Sequence, residues 1–248
     1  MSSLRLDRLM ANLGYGSRKE IAIFVRGGRI ALYGTPVKKA DQNILLSDVK
    51  TGALTFDGES LDPPAPLVVM LHKPAGYTCS HDERGDLIYD LLPARWKNRK
   101  PVLSCAGRLD KYSTGQVLLT DDGDLLHRII HPKSHAAKHY AVTLELDLEG
   151  NEAARFATGE FLMQDDVKPL KPAIWTQTDA KSGHMILQEG RFHQIRRMFE
   201  TLGNKVVTLH RYQTGALELG DLKEREYRVL EDAEIGKIME SEKMGSRE

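Results

Sequence analysis

Residues 57–67 read DGESLDPPAPL, a stretch through which neither a helix nor a strand is expected to run. Pro63, Pro64 and Pro66 lack a backbone donor and fix φ, and the residue before a proline is pushed towards extended backbone. Little else in the stretch asks to be buried. A chain of 248 residues broken there is expected to form two bodies, one over residues 1–60 and one over 67–248, with 57–66 as linker.

Composition narrows the class. With 41% hydrophobic and 28% charged residues, the chain reads as a globular protein able to bury a sizeable core. Its apolar run LVVML is far too short for a bilayer, and the start, MSSLRLDRLM, is charged at once with no apolar leader. A cytoplasmic protein without membrane contact is expected. Cys79 and Cys105 lack metal-ligand spacing and read as thiols, and His72, His81, His127 and His131 have no zinc-like partners. No metal is expected, and no Gly-rich phosphate loop points to a nucleotide cofactor. Net charge is zero, yet residues 1–46 carry eight basic side chains against three acidic, and residues 190–211 five against one. Such segregation builds positive faces inside a neutral chain, and positive faces suit a polyanion.

Periodicity places the elements. Leu6, Leu9, Met10 and Leu13 share one helical face that Gly14 ends. Ser17-Arg18-Lys19-Glu20 has the form of a capping box, opening a second helix that runs to Gly27-Gly28. A hairpin follows, turning at Gly34-Thr35-Pro36. Beyond the prolines, LVVMLHKP reads as a strand, Tyr140, Val142, Leu144 and Leu146 alternate as in a half-buried strand, and HMILQEG is another. Ile195, Met198, Phe199 and Leu202 fall at helical spacing before Gly203. The tail from Glu231 is polar and is expected to fray.

Arg18 and Lys19 at a helix N-terminus oppose the macrodipole, so another interaction should favour them; a phosphate backbone would. A solvated helix face fits that spacing equally well. The order of elements decides: helix pair then hairpin, with Arg5-Leu6-Asp7, Ser17-Arg18 and Gly28 ahead of a strand, resembles an S4 RNA-binding domain. That resemblance implies RNA contacts for Arg5, Arg18, Lys19, Arg26 and Arg29. Ile30 and Tyr33-Gly34 stand where such hairpins usually have Val and Asn-Gly.

In the second body, LHKPAGYTCS, GRLDKYSTGQVLLTDDG, KHYAVTLE and LQEGRFHQIRRMF follow one another. Together they resemble a pseudouridine synthase of the RsuA family, which carries an N-terminal S4 domain. The resemblance implies an α+β fold: a small α-rich S4 domain, then a catalytic domain with a long, mainly antiparallel sheet and a central cleft. It implies isomerisation of a uridine in small-subunit ribosomal RNA, without cofactor, on a base flipped out of its stack. Asp110 would be the essential carboxylate, either attacking the nucleoside or stabilising and deprotonating an intermediate. Arg196 would hold that buried carboxylate ionised, Tyr140 would stack on the base, and Leu187 would pack beneath it. Arg108 and Arg191 are candidates for the RNA backbone or for buttressing the loop; Lys73 and Arg197, with Arg211, are candidates for phosphates. Gln116 replaces a usual Leu, Ser113 a usual Thr and His72 a usual Asn. The expected partner is ribosomal RNA, within an assembling particle, and the expected state is a monomer. The same chemistry on large-subunit RNA, a ribosome-binding factor without catalysis, and a helical DNA-binding protein are the alternatives; the last leaves all beyond residue 46 unexplained.

Overall fold

The computed structural model of the chain describes residues 2–131, 136–164 and 166–240, which divide into two compact units. The first takes in the chain up to Leu67 together with Leu92–Ser104 and Thr120–Gly123. Its elements run β1 (Ser3–Arg5), α1 (Leu6–Asn12), α2 (Arg18–Arg26), β2 (Ile30–Leu32), β3 (Thr35–Pro36), β4 (Asn43–Leu45), α3 (Leu46–Lys50), β5 (Leu54–Phe56) and β6 (Glu59–Ser60). The periodicity of the first helix is its burial: Leu6, Leu9, Met10 and Leu13 join Ile21, Val25, Ile30, Ile44 and Leu54 in one apolar core. Ser17 and Glu20 exchange side chain-to-backbone bonds, closing the capping box. In the β2–β3 turn, Tyr33 and Gly34 both have positive φ, and the Tyr33 hydroxyl donates to Asp48 at 2.9 Å. That bond holds a bulky residue where Asn is easier to place.

Residues 57–66 are only partly a linker. Asp57 and Gly58, both at positive φ, turn β5 into its antiparallel partner β6, as an Asp-Gly pair between strands should. Leu61 is buried in the same core. The prolines masked this by outweighing the hairpin signal beside them.

The rest of the described chain is the second unit. Its elements are β7 (Val68–Lys73), β8 (Ser104–Cys105), β9 (Thr114–Thr120), α4 (Gly123–Ile130), β10 (Lys138–Leu144), α5 (Glu152–Ala157), β11 (Ile174–Gln177), β12 (Ser182–Leu187), α6 (Gln194–Thr201), β13 (Val206–Thr214), β14 (Leu217–Glu218), β15 (Tyr227–Val229) and α7 (Asp232–Lys237), the first residues of β8 and α4 and the last of β9 being counted with the first unit. Among the described residues they form a nine-stranded sheet in the order β11-β12-β10-β13-β9-β7-β15, with β14 on β13 and β8 on β9. β10 is antiparallel to both β12 and β13, whereas β13 and β9 run parallel, so the sheet is mixed and the fold α+β. β10 stops at Leu144; Leu146, which continued the alternation, is exposed.

The tail does not fray over its described part. Glu231 and Glu234 cap α7 reciprocally, Arg228 pairs with Glu234 at 2.6 Å, and Ile238 is fully buried. Residues 241–248 of that tail lie outside the described residues.

Candidate active site

Asp110 stands in the loop that leads into β9, and the loop is held from beneath. Lys73, at the end of β7, is fully buried, and its ammonium donates to the carbonyls of Pro74 (3.0 Å), Lys111 (3.0 Å) and Ser113 (2.7 Å). Burial lowers its pKa to about 8. Lys73 is therefore a staple for the aspartate loop and cannot be the phosphate contact its charge suggested. Arg211 is likewise buried, donating to the carbonyls of Gln116 (2.7 Å) and Gly107 (2.8 Å). Gln116, inserted where Leu is usual, donates to the carbonyl of Leu217 at 2.8 Å, and His72 meets the carbonyl of Leu222 at 2.7 Å. Gln116 thus satisfies a backbone group of the sheet and His72 one in the loop between β14 and β15.

A histidine ring and a guanidinium face the carboxylate from the other side. His193 Nε2 lies 3.4 Å from one oxygen of Asp110, and Arg196 Nε lies 3.8 Å from the other. Arg196 projects from the first turn of α6 and is aimed by bonds to the carbonyl of Val206 (3.1 Å) and the hydroxyl of Ser113 (3.5 Å). His193 precedes α6 in left-handed conformation, φ 48°, a geometry costly for a non-glycine residue and over-represented at functional sites. Asp110 was expected to be buried; its side chain is 31% exposed, because it opens on a cleft.

That cleft, of about 640 Å³, is lined by Asp110, Tyr140, Arg108, Lys138, Phe192 and His193, among others. A smaller hollow of about 90 Å³ joins Asp110 to Tyr140, Leu187 and Leu209. Tyr140 and Leu187 come from adjacent strands, β10 and β12, in which Tyr140 faces Met185 and Lys138 faces Leu187. The structure thus brings Asp110, Tyr140, Leu187 and Arg196 to one place. Arg108 is exposed at the cleft. So is Phe192, whose ring stacks on His193 at 3.8 Å between centroids. Cys79 and Cys105 also line it. The Cys105 thiol donates to Cys79, which lowers the pKa of Cys79 and raises that of Cys105.

Arg191 and Arg197 do other work. Both bind Asp166, Arg191 also reaches the carbonyl of Lys168 and the carboxylate of Glu189, and Arg197 the carbonyl of Gln164. They tie a loop of acidic and proline residues to α6 and leave few donors for RNA. Sequence reasoning passed over His193 and Lys138 although both sit inside motifs it used. A histidine in HQIRR and a lysine in KHYAV carry no local sign of which charge they will face.

In the first unit, Arg5 is paired with Asp7 at 2.8 Å and Arg29 with Asp57. Arg18, Lys19 and Arg26 are exposed. Arg18 lines a second cleft, of about 710 Å³, with Lys97 and Lys100. Those lysines come from the segment after residue 91, which the sequence placed in the other body.

No helix among the described residues is long and apolar enough to cross a membrane. A family model for RNA pseudouridylate synthase matches residues 67–201. The chain is 37% identical over 241 residues to ribosomal small subunit pseudouridine synthase A of Escherichia coli (strain K12), covering 95% of this chain and all of the relative. It is 35% identical over 236 residues to a Bacillus subtilis protein named uncharacterized RNA pseudouridine synthase YtzG, covering 94% and 97%. A crystal structure of a pseudouridylate synthase shares 38% identity with a TM-score of 0.65, covering 95% of this chain and 99% of that one.

Proposed function

The chain belongs to the RNA pseudouridylate synthase family, and from that premise we propose that it isomerises one uridine of small-subunit ribosomal RNA to pseudouridine, with Asp110 as its essential carboxylate. The observation that carries this reading is the setting of Asp110 between His193 and Arg196 at a cleft walled by Tyr140 and Leu187.

The reaction breaks the bond from C1′ to N1 of uracil, turns the base and joins C1′ to C5; C5 gives up its proton to solvent and N1 takes one up. Atoms and electrons balance within the nucleoside, so no oxidant, phosphate donor or cofactor is called for. Asp110 serves as nucleophile or base. Arg196 offers its guanidinium, and His193 a ring nitrogen, to the carboxylate and to charge that develops beside it. The uridine leaves its stack to reach the carboxylate, at a cost of about a few kcal/mol. Tyr140 offers its ring to the flipped base and Leu187 an apolar floor. The exposed ring of Phe192 is placed to stack on a neighbouring base. The first unit supplies further RNA contacts through Arg18, Lys19 and Arg26, S4-fashion, in the cytoplasm where ribosomal subunits are assembled, and the enzyme acts as a monomer.

The test is tritium release from small-subunit rRNA labelled at uridine C5, given free and in partly assembled particles. One equivalent released by the wild type and none by Asp110→Asn is the expected result. RNA bound with no tritium released from either substrate would overturn the small-subunit assignment. Release from large-subunit rRNA would then redirect the target, and none there would leave an RNA-binding factor.

A further inference from the structure

Two lysines of the second unit are shielded from water, Lys73 fully and Lys138 in part, and they are accommodated differently. Lys73 has three carbonyls around its ammonium. Lys138 has none: among the described residues no hydrogen bond or ion pair reaches its side chain. The charged groups that act on it, Arg211 and Lys171, are both cations, and with burial they lower its pKa to about 8. Cations taken out of water are ordinarily paired, because an unpaired one costs stability that apolar replacement would recover. One left unpaired in a cleft marks a place where a ligand completes the pairing.

Its position says which ligand. Lys138 opens β10, whose backbone is fixed on both sides by pairing with Leu187 and Thr214. Lys138 and Tyr140 lie on the same face, roughly 7 Å apart along the strand, and both line the cleft that holds Asp110. That separation lies within the span of a single nucleotide. Arg108, exposed on the same cleft, adds a further positive charge. The uracil is neutral, so it cannot answer this charge. The anion that an RNA strand brings beside a uridine is its phosphodiester.

We propose that Lys138 binds a phosphodiester flanking the reacting uridine, a subsite of the cleft separate from the carboxylate and from the base-stacking wall. The assignment rests on the reading of the chain as an RNA pseudouridine synthase. With Lys138 in that role, the flipped nucleotide is gripped at its backbone while its base is free to turn between Tyr140 and Leu187.

The experiment is a cycle of substitutions on both partners, read by binding. Fragments tiling the small-subunit rRNA are ranked by affinity for the full chain. In the tightest-binding fragment the phosphates around each uridine are replaced one at a time by uncharged methylphosphonate. Lys138→Met is expected to weaken binding at least about ten-fold, the scale of a hydrogen bond to a charged group. It should also reduce the slope of log affinity against log salt by about 0.7, one phosphate's share for a single strand. Lys138→Arg should restore most of both. One methylphosphonate position should cost the wild type about ten-fold and cost Lys138→Met nothing more. If the two losses multiply at every position, or if Lys138→Met binds as the wild type does, the inference is wrong. Lys138→Gln serves the same cycle should the Met variant fail to fold. Tritium release with an additive cycle would sink the Lys138 assignment alone. A coupled cycle with no tritium release from any rRNA would keep the phosphate subsite and remove the catalytic reading.

Discussion

Asp110 depends on a guanidinium whose direction is set elsewhere. Arg196 is aimed by Val206 and Ser113 before it meets the carboxylate, and a lysine could not make both bonds and still lie along Asp110. Arg196→Met should therefore lower kcat by about 10²–10³, the usual cost of removing one preorganised charge donor, with a much smaller change in RNA affinity. Single-turnover tritium release beside a binding titration checks the split, and equal losses in both would make Arg196 an RNA contact only. Lys138 makes a second prediction at this scale, independent of RNA. Its pKa is about 8 in the folded chain and takes the ordinary 10.5 when unfolded. Between those values the folded state has given up a proton that the unfolded state still holds, so wild-type stability rises with pH relative to Lys138→Met. Below pH 8 the Met variant should be the more stable, by up to about 3 kcal/mol and less where water in the cleft screens the charge. Urea unfolding of both proteins between pH 7 and 10.5 reads the gap, and a gap that does not narrow with pH refutes the assignment. Asp110, Tyr140, Leu187 and Arg196 were legible because each occupies a fixed place in a motif. The roles of Lys138 and Lys73 were not, since a lysine carries no local sign of what its ammonium will face. Only the fold shows that one meets three carbonyls and the other two cations.

Among the elements, β9 explains why Ser-Thr-Gly follows the aspartate loop. Gly115 lies opposite Arg211 in the parallel pairing of β9 with β13, at φ 107°. A Cβ there would sit 2.1 Å from the Arg211 carbonyl oxygen and 2.8 Å from its nitrogen. Neither atom belongs to a side chain that can swing aside. Gly115→Ala must part the two strands, and the loop bearing Asp110 moves with β9. The expected loss is at least about 2–3 kcal/mol of stability, read as a lower urea midpoint, with tritium release falling further than the unfolded fraction explains. An unchanged midpoint would mean the strands are not so closely apposed. Element patterns were readable in proportion to how local their causes were. The helical spacing of Leu6 to Leu13 and the Ser17–Glu20 box are chain-neighbour effects, and both stand as read. α7 was missed because its stability comes from Arg228, which caps it through Glu234, and from burial of Ile238. Neither is visible in a run of polar residues.

At the scale of the whole molecule, the prolines at 63–66 suggest a chain divisible at residue 67, and the chain's own return path argues against that. After β7 it comes back to the first unit over Leu92–Ser104. There Lys100 N donates to the carbonyl of Asn12 at 2.8 Å, Arg95 pairs with Asp62, and Arg99 reaches the carbonyl of Pro63 at 3.0 Å. Arg99 also pairs with Asp121 at 3.0 Å, each side chain 1% exposed, and Asp121 accepts from Leu67 N at 2.7 Å. A chain that begins at residue 67 keeps Arg99 and Asp121 but strips Asn12, Asp62 and Pro63 from around them. The buried pair is then opened to water, where an ion pair contributes little, and the bonds that Asn12, Asp62 and Pro63 made to the return segment are lost. Taking about 3 kcal/mol for the lost ion pair and hydrogen bonds, and about 2–4 °C per kcal/mol for a domain of this size, the shortened protein should melt about 6–12 °C below the full chain. Its amides over 92–104 should exchange with deuterium far faster, while those of β10 and β13, held by strands on both sides, keep their protection. Equal melting temperatures and equal protection over 92–104 would show residue 67 to be a true domain boundary, and the return segment to be indifferent to the first unit.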